Sequence, residues 1–302
     1  MPDIVRWNEW SEGKIPNFIF LIFYLMLSQG LKPETSLYTP AIIVLFFSFF
    51  FAFSYALNDY CDRNTDKKKG KIAQISLRSA DALLLILLLS GISLLTVIPP
   101  ISALIGLSMY VLSMSYSTRP LRLKERGLAG IVTSAVSQQT LPALLIFSSM
   151  PSCSCAIDLV LFTLFLSALG FRRIFEHQVE DFQADKHAGV RTFAQSIGLS
   201  GATKLTGYLE VLEQASLLLI LIWMGLNITA LLVLPLVYAI LILWRRSMRA
   251  YITYYMSGLI SPYFILSLLI LSDTNYAFAI LLCIPFTYRL ILKLFSYRGG
   301  KI

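Results

Sequence analysis

The chain has 302 residues, of which 57% are hydrophobic and only 14% charged, with a mean hydropathy of +0.71. An ordinary globular domain carries roughly 25% charged residues, and a soluble protein of this length has too much surface to cover with so few. A water-soluble fold is excluded, and so is a disordered chain, because long apolar runs with 13% aromatics are not a disordered composition. Four cysteines, among them Cys153 and Cys155 two positions apart, provide neither a disulfide framework nor metal-finger spacing. The formal charge of +8 raises nucleic acid as a partner, and the placement of that charge argues against it.

Apolar runs of bilayer-crossing character occur at 15–30, 38–57, 82–98, 101–116, 128–149, 157–171, 205–224, 228–244, 251–271 and 276–295. Connections as short as Pro99-Pro100 require antiparallel helical hairpins. Strand-like alternation is absent, and an open sheet leaves its backbone unsatisfied in lipid. The expected fold is therefore all-α: a polytopic transmembrane bundle of nine to ten spans, forming one integral-membrane domain over 1–302. The run at 15–30 has no small-residue cleavage site and reads as a span, not as a removable signal peptide.

Basic residues alternate with the runs. The connections following the first, third, fifth, seventh and ninth runs contain a single one, Lys32. Nearly all the others lie before the first run or in the intervening connections, with Arg289 and Lys293 at the inner end of the last run. This is the positive-inside pattern. It predicts a multi-pass protein of the cell (inner) membrane with both termini cytoplasmic, and it removes nucleic acid from the expected partners.

Three cytoplasmic connections carry the chemistry, at 58–81, 117–127 and 172–204. In the first, Asn58, Asp62 and Asp66 recur every fourth position and fall on one helical stripe. In the third, Asp181 and Asp185 repeat that spacing. Carboxylates gathered at one face repel and raise each other's pKa unless a cation sits among them. Oxygen-only ligands without His or Cys favour a hard ion, and Mg²⁺ is commonly shared between few carboxylates and a substrate phosphate. The second connection adds Arg119, Arg122 and Lys124 just beyond Tyr116. Solvated helix ends explain any one of these loops alone. Acids and bases on one face together describe a receptor for a polyanion.

Polar residues inside the apolar runs form a second group. Gln138, Gln139 and Thr140 precede Pro142, Glu210 and Glu213 open the seventh run, and Asn17 follows Pro16. Such groups face a cavity or another helix. Gln138 or Gln139 is a candidate acceptor contact, with interhelical hydrogen bonding as the ordinary alternative. Tyr55, Tyr60 and Tyr116 lie near the acidic and basic motifs, where an aromatic face can stabilise a cation or simply pack.

The ordered trio, Asn58-x-x-x-Asp62-x-x-x-Asp66, then Tyr116-Ser117 to Arg122-Leu123-Lys124, then Asp181-x-x-x-Asp185 with Gly189 and Thr192, resembles the UbiA superfamily of intramembrane prenyltransferases. The match runs from about the second to the seventh span. The resemblance implies a helical bundle around a central cavity. Its Asp motifs would bind Mg²⁺, two ions in all, and hold the diphosphate of a prenyl diphosphate donor. On that reading Asn58, Asp62, Asp66, Asp181 and Asp185 are metal ligands. Asp62, Asp66, Asp181, Asp185 and Tyr116 would be catalytic, with Tyr116 near the reacting carbon. Asn58, Arg119, Arg122 and Lys124 would contact the donor, and Gln138 the acceptor. The implied activity is Mg²⁺-dependent transfer of an isoprenyl group to an aromatic or lipophilic, hydrophobic acceptor within the bilayer.

The chain departs from the family pattern at three places. Lys67-Lys68-Lys69-Gly70-Lys71 follows the first motif in place of an Asn-Pro-x-Arg-Pro-like stretch, Gln178 stands where an acid often precedes the second, and 276–295 is an additional C-terminal span beyond the family's nine. No residue selects the acceptor. A terpene cyclase using the same cation intramolecularly, and a transporter or binding protein for an anionic lipid, stay open as alternatives.

Overall fold

The computed structural model describes residues 5–28, 37–68, 77–150, 156–190 and 192–223, and every regular element among them is helical. The runs expected at 228–244, 251–271 and 276–295 lie outside the described residues. A short helix α1 (Trp7–Gly13) precedes α2 (Ile15–Ser28). Pro16 is tolerated in the first turn of α2, where its missing N–H has no intrahelical partner to lose.

Helix α3 (Tyr38–Lys68) has 31 residues, roughly 46 Å at 1.5 Å per residue, against about 30 Å of hydrocarbon. Its C-terminal third therefore projects beyond the apolar layer, and that third carries Asn58 and Asp62. Helix α4 (Leu77–Leu94) ends in a 3-10 turn (Leu95–Val97), and Pro100 opens α5 (Pro100–Ser117). A basic segment with a 3-10 turn (Leu123–Glu125) leads to α6 (Leu128–Ala135), a π turn (Val136–Thr140) and α7 (Leu141–Ser149). These last three form one membrane-length stretch. Then come α8 (Ala156–Glu180), α9 (Phe182–Ala188) and α10 (Phe193–Trp223), the last kinked at Gly198. The connection at 172–204 is thus mostly helix, and the seventh run continues a helix that starts at Phe193, well before position 205.

Among the described residues, four stretches are long and apolar enough to cross a membrane: Tyr38–Asn64, Ala80–Val97, Pro100–Ser117 and Leu128–Ser149. Helices α4 and α5 expose Leu85, Ile86, Leu89, Ile101, Leu104 and Val111, a face that is stable against lipid and not against water. Helix α2 lies at the centre. Phe18 packs on Phe47 and Phe51 of α3, and Tyr110 of α5 stands edge-on to Phe46, Phe50 and Phe53. Edge-to-face pairs of this kind add to the area they bury.

Helices α8 and α10 run along one another and share a buried ion pair. Arg172 Nε donates to Glu213 at 2.5 Å with both side chains fully buried, and Arg172 Nη1 donates to Glu176 at 2.5 Å. Near the other end of α8, buried Asp158 accepts hydrogen bonds from Tyr24 on α2 (2.6 Å) and Trp223 on α10 (2.7 Å). These two polar ties fix α10 against the core of the bundle.

Candidate functional site

The projecting end of α3 meets the basic segment because of Gly130. A Cβ there would lie 2.7 Å from the carbonyl oxygen of Leu123 and 2.8 Å from Cα of Lys124, so only glycine lets this segment lie flat on α6. Seated in that way, Lys124 donates to Asn58 Oδ1 at 2.9 Å and sits 2.5 Å from the Asp62 carboxylate. Arg122 donates to Asp62 Oδ1 at 3.0 Å and to Glu125 at 2.5 Å. Burial pushes the Lys124 ammonium below its ordinary pKa, and the charge of Asp62 opposes that shift. The acid repulsion expected from the sequence is relieved at Asp62 by these two bases.

Facing them are the end of α8 and the start of α9. Asp181 occupies the N-cap position of α9 without capping it through its side chain. Asn58, Asp62, Tyr116, Arg122, Lys124, Asp181 and Asp185 all line one chamber of about 160 Å³. Thr192 lines it too, its hydroxyl buried without a hydrogen-bond partner among the described residues. Gln178, at the position where an acid was expected, accepts a hydrogen bond from the backbone N–H of Ala194 (3.0 Å) and so ties α8 to the start of α10.

Of the residues singled out in the sequence, Gln138 lies deeper, in a second chamber of about 260 Å³. That chamber shares Asn58, Asp62, Tyr116, His177 and Asp181 with the first, so the two adjoin. Arg119 is exposed and lines neither chamber. Asp66 lies in the last turns of α3, and its side chain is outside the described residues.

Among the described residues no three His, Cys, Asp or Glu side chains converge on a point. Asn58, Asp62, Asp181 and Asp185 instead line one chamber. All offer oxygen, and the orphaned Thr192 hydroxyl adds another. That donor set suits a hard divalent cation completed by substrate oxygens.

Several lining residues were not anticipated. Arg6, Glu9 and Lys14 reach the inner chamber from the N-terminal segment, and Arg173 from α8. Arg6 is held by Asp59 through contacts of 2.6 and 3.0 Å. Lys14 hydrogen-bonds Gln138 and lies 5.0 Å from the ring centre of Tyr55. Burial, reinforced by Arg173, pushes the Lys14 ammonium down to about 7. In the sequence these charges merge with the cytoplasmic topology signal, which is why none stood out.

Residues 17–268 match the model of the UbiA prenyltransferase family. The chain belongs to that family. Solved structures of UbiA homologues share the fold. One from Archaeoglobus fulgidus bound to GPP and Mg²⁺ is 19% identical with a TM-score of 0.62, over 92% of this chain and 98% of that one. Another from that organism, bound to Cd²⁺, is 21% identical with a TM-score of 0.59, over 91% and 96%. A ligand-free homologue from Aeropyrum pernix K1 is 17% identical with a TM-score of 0.57, over 85% and 97%. No curated protein sequence matches the chain. In this UbiA-family protein the two chambers lie next to one another between the projecting end of α3 and the π turn.

Proposed function

We propose that this protein transfers an isoprenyl group from an allylic prenyl diphosphate to an acceptor seated in the inner chamber. The observation that carries the reading is the pairing of Arg122 and Lys124 with Asp62 in a chamber also lined by Asn58, Asp181 and Asp185. Relatives solved with GPP and Mg²⁺ or with DMAPP and Mg²⁺ support it. Asn58, Asp62, Asp66, Asp181 and Asp185 would hold two Mg²⁺ ions, which neutralise charge on a diphosphate leaving group when bound.

The side chains divide the work as follows. Arg122 and Lys124 donate charge-assisted hydrogen bonds to the diphosphate as the allylic C–O bond breaks and the electron pair leaves with oxygen. Tyr116, at the junction of both chambers, turns its ring toward the cationic allyl fragment. The acceptor's nucleophilic atom then bonds to the allylic carbon, and the acceptor loses a proton. Apolar helices around the chambers keep water from reaching the cation first.

The proposed setting is a single domain over 1–302 in the cell membrane, with both termini and the loops 58–81, 117–127 and 172–204 cytoplasmic. Testing it requires the purified protein in detergent with geranyl diphosphate and a total lipid extract. Expected is diphosphate release that needs Mg²⁺, with a prenylated product found by mass spectrometry. Release absent, or equal in excess EDTA, overturns the reading.

A further inference from the structure

The N-terminal segment, Val5 to Lys14, lies along one stripe of α3. Trp10 stacks on Phe51 with ring centres 6.2 Å apart, and the Arg6 guanidinium sits 6.0 Å from the ring centre of Tyr55. That guanidinium also forks onto Asp59, Nη2 donating to Oδ1 at 2.6 Å and Nε to Oδ2 at 3.0 Å. Phe51, Tyr55 and Asp59 recur every fourth position and so share the stripe. Asp59 falls between Asn58 and Asp62, so this grip acts on the turn of α3 that carries the site. It lies beside the stripe that Lys124 and Arg122 hold.

The segment is fixed at both ends of its turn. Arg6 has φ 46° and ψ 46°, a left-handed conformation that is unfavourable for a residue with a Cβ and persists where the surroundings over-determine it. Trp10 is buried, and its indole N–H donates to the carbonyl of Val5 at 2.7 Å, which closes the turn around Arg6. The Asp59 side chain is only 11% exposed, and a two-pronged, charge-assisted contact to a largely buried carboxylate is stronger than an ordinary surface pair. Arg6, Glu9 and Lys14 all line the inner chamber. The strip from Arg6 to Lys14 is therefore one of the chamber's walls, and the Arg6–Asp59 pair is what joins that wall to the helix of the first motif.

We propose that Arg6 is a positioning residue for the transfer reaction: its grip on Asp59 holds the N-terminal segment against α3 as a wall of the inner chamber, and that wall keeps water from the allyl cation. The chemistry rests on the prenyl-transfer reading above, whereas the wall is testable without turnover. Once the allylic C–O bond breaks and the electron pair leaves with the diphosphate, the carbon bonds either to the acceptor or to a water oxygen. Capture by water, with loss of a proton, gives the free prenyl alcohol. A loosened wall shifts the outcome toward that alcohol. Arg6 acts here through Asp59 and not by touching the donor.

Paired measurements on the full-length protein in detergent test this. In the first, Ser137→Cys provides a thiol at a buried position lining the chamber, in a chain whose four native cysteines are replaced by serine. Its rate of reaction with hydroxyethyl methanethiosulfonate reads how open the chamber is, and this neutral reagent is not biased by the removal of a charge. Arg6→Ala and Asp59→Asn are each expected to speed that reaction by about tenfold or more. The exchanged pair, Arg6→Asp with Asp59→Arg, restores most of the protection. In the second, radiolabelled geranyl diphosphate, Mg²⁺ and a total lipid extract are supplied, and the label is divided between geraniol or linalool and larger prenylated products. Both single variants are expected to raise the alcohol share by at least about twofold. The KM for geranyl diphosphate stays unchanged, which also establishes that the variants fold, and the exchanged pair regains the parent's share. Equal thiol rates in parent and variants, an unchanged alcohol share, or an exchanged pair that turns over but is as open as the single variants each overturn the inference. A donor KM raised by Arg6→Ala and not by Asp59→Asn overturns it too, because Arg6 then touches the donor itself. Absence of Mg²⁺-dependent diphosphate release in the parent removes the underlying prenyl-transfer reading instead, and the thiol rates still decide on the wall.

Discussion

The ammonium of Lys124, in the segment after α5, lies 2.5 Å from the carboxylate of Asp62 on α3, with both side chains largely buried. Arg122 shares the same carboxylate at 3.0 Å. Both bases of this segment are thus paired with one acid of the chamber. On the proposed reading, a diphosphate that took up the two bases would release Asp62 to serve a metal, and the two ends of the binding reaction would be coupled through one carboxylate.

Arg122→Ala and Lys124→Ala are expected to weaken prenyl diphosphate binding while the protein still inserts and folds. A charge-assisted contact contributes about 1.5–3 kcal/mol, roughly one to two decades in affinity. Equilibrium binding of geranyl diphosphate in detergent measures it. Unchanged affinity in both variants returns this segment to a purely topological role.

The seat of that segment offers an indirect test. Gly130→Ala places a Cβ against the backbone of Leu123 and Lys124, atoms that cannot swing aside. The expected cost is about 1–3 kcal/mol of overpacking, with a loss of donor affinity as Lys124 is displaced. Gly207→Ala on α10 meets nothing within 4 Å and should stabilise the helix by roughly 1 kcal/mol. Thermal unfolding of both variants, with donor binding alongside, separates the two effects.

How much of this was legible in the sequence follows from how local each signal is. The apolar runs and the i, i+4 spacing of Asn58, Asp62 and Asp66 are read along one helix, so the bundle and the first motif could be drawn from the chain alone. That Arg122 and Lys124 reach Asp62 needs the close approach at Gly130, which has no signature beyond one glycine. Lys14 and Arg173 were hidden for another reason. Both look like any cytoplasmic charges beside a span.

The buried ion pair of α8 and α10 has a stability prediction of its own. Glu213→Gln removes one charge from beside the buried Arg172, which keeps its contact with Glu176. Breaking a buried pair on one side costs about 3–5 kcal/mol, read as a lower unfolding temperature in detergent. The double variant Arg172→Met with Glu213→Leu should recover most of that loss, because a packed apolar pair needs no desolvation. A single variant as stable as the parent shows that the pair contributes nothing.

Orientation is checked at Arg119, which is exposed and lies outside both chambers. Arg119→Cys, in a chain whose four native cysteines are replaced by serine, should react with a membrane-impermeant thiol reagent only after the cells are opened. The positive-inside pattern demands that outcome. Labelling in sealed cells moves the site to the opposite face and away from a cytoplasmic supply of prenyl diphosphate.

The acids provide the most direct test of the chemistry. Asn keeps the size of Asp and one accepting oxygen but removes the charge, so Asp62→Asn and Asp181→Asn change electrostatics at nearly constant shape. At Asp62 the substitution also frees Lys124 and Arg122 from their partner, and donor binding alone should therefore hold or tighten while turnover falls. Stabilising a leaving group contributes several kcal/mol. A loss of at least about a hundredfold in kcat, near 2.7 kcal/mol, is expected in each variant. Solvated helix-end acids predict no change in either quantity. A gate in a lipid transporter predicts altered flux without any Mg²⁺-dependent release of diphosphate. Single-turnover measurements with geranyl diphosphate, with binding measured in parallel, separate the three. Wild-type turnover in both folded variants would exclude these carboxylates from the reaction.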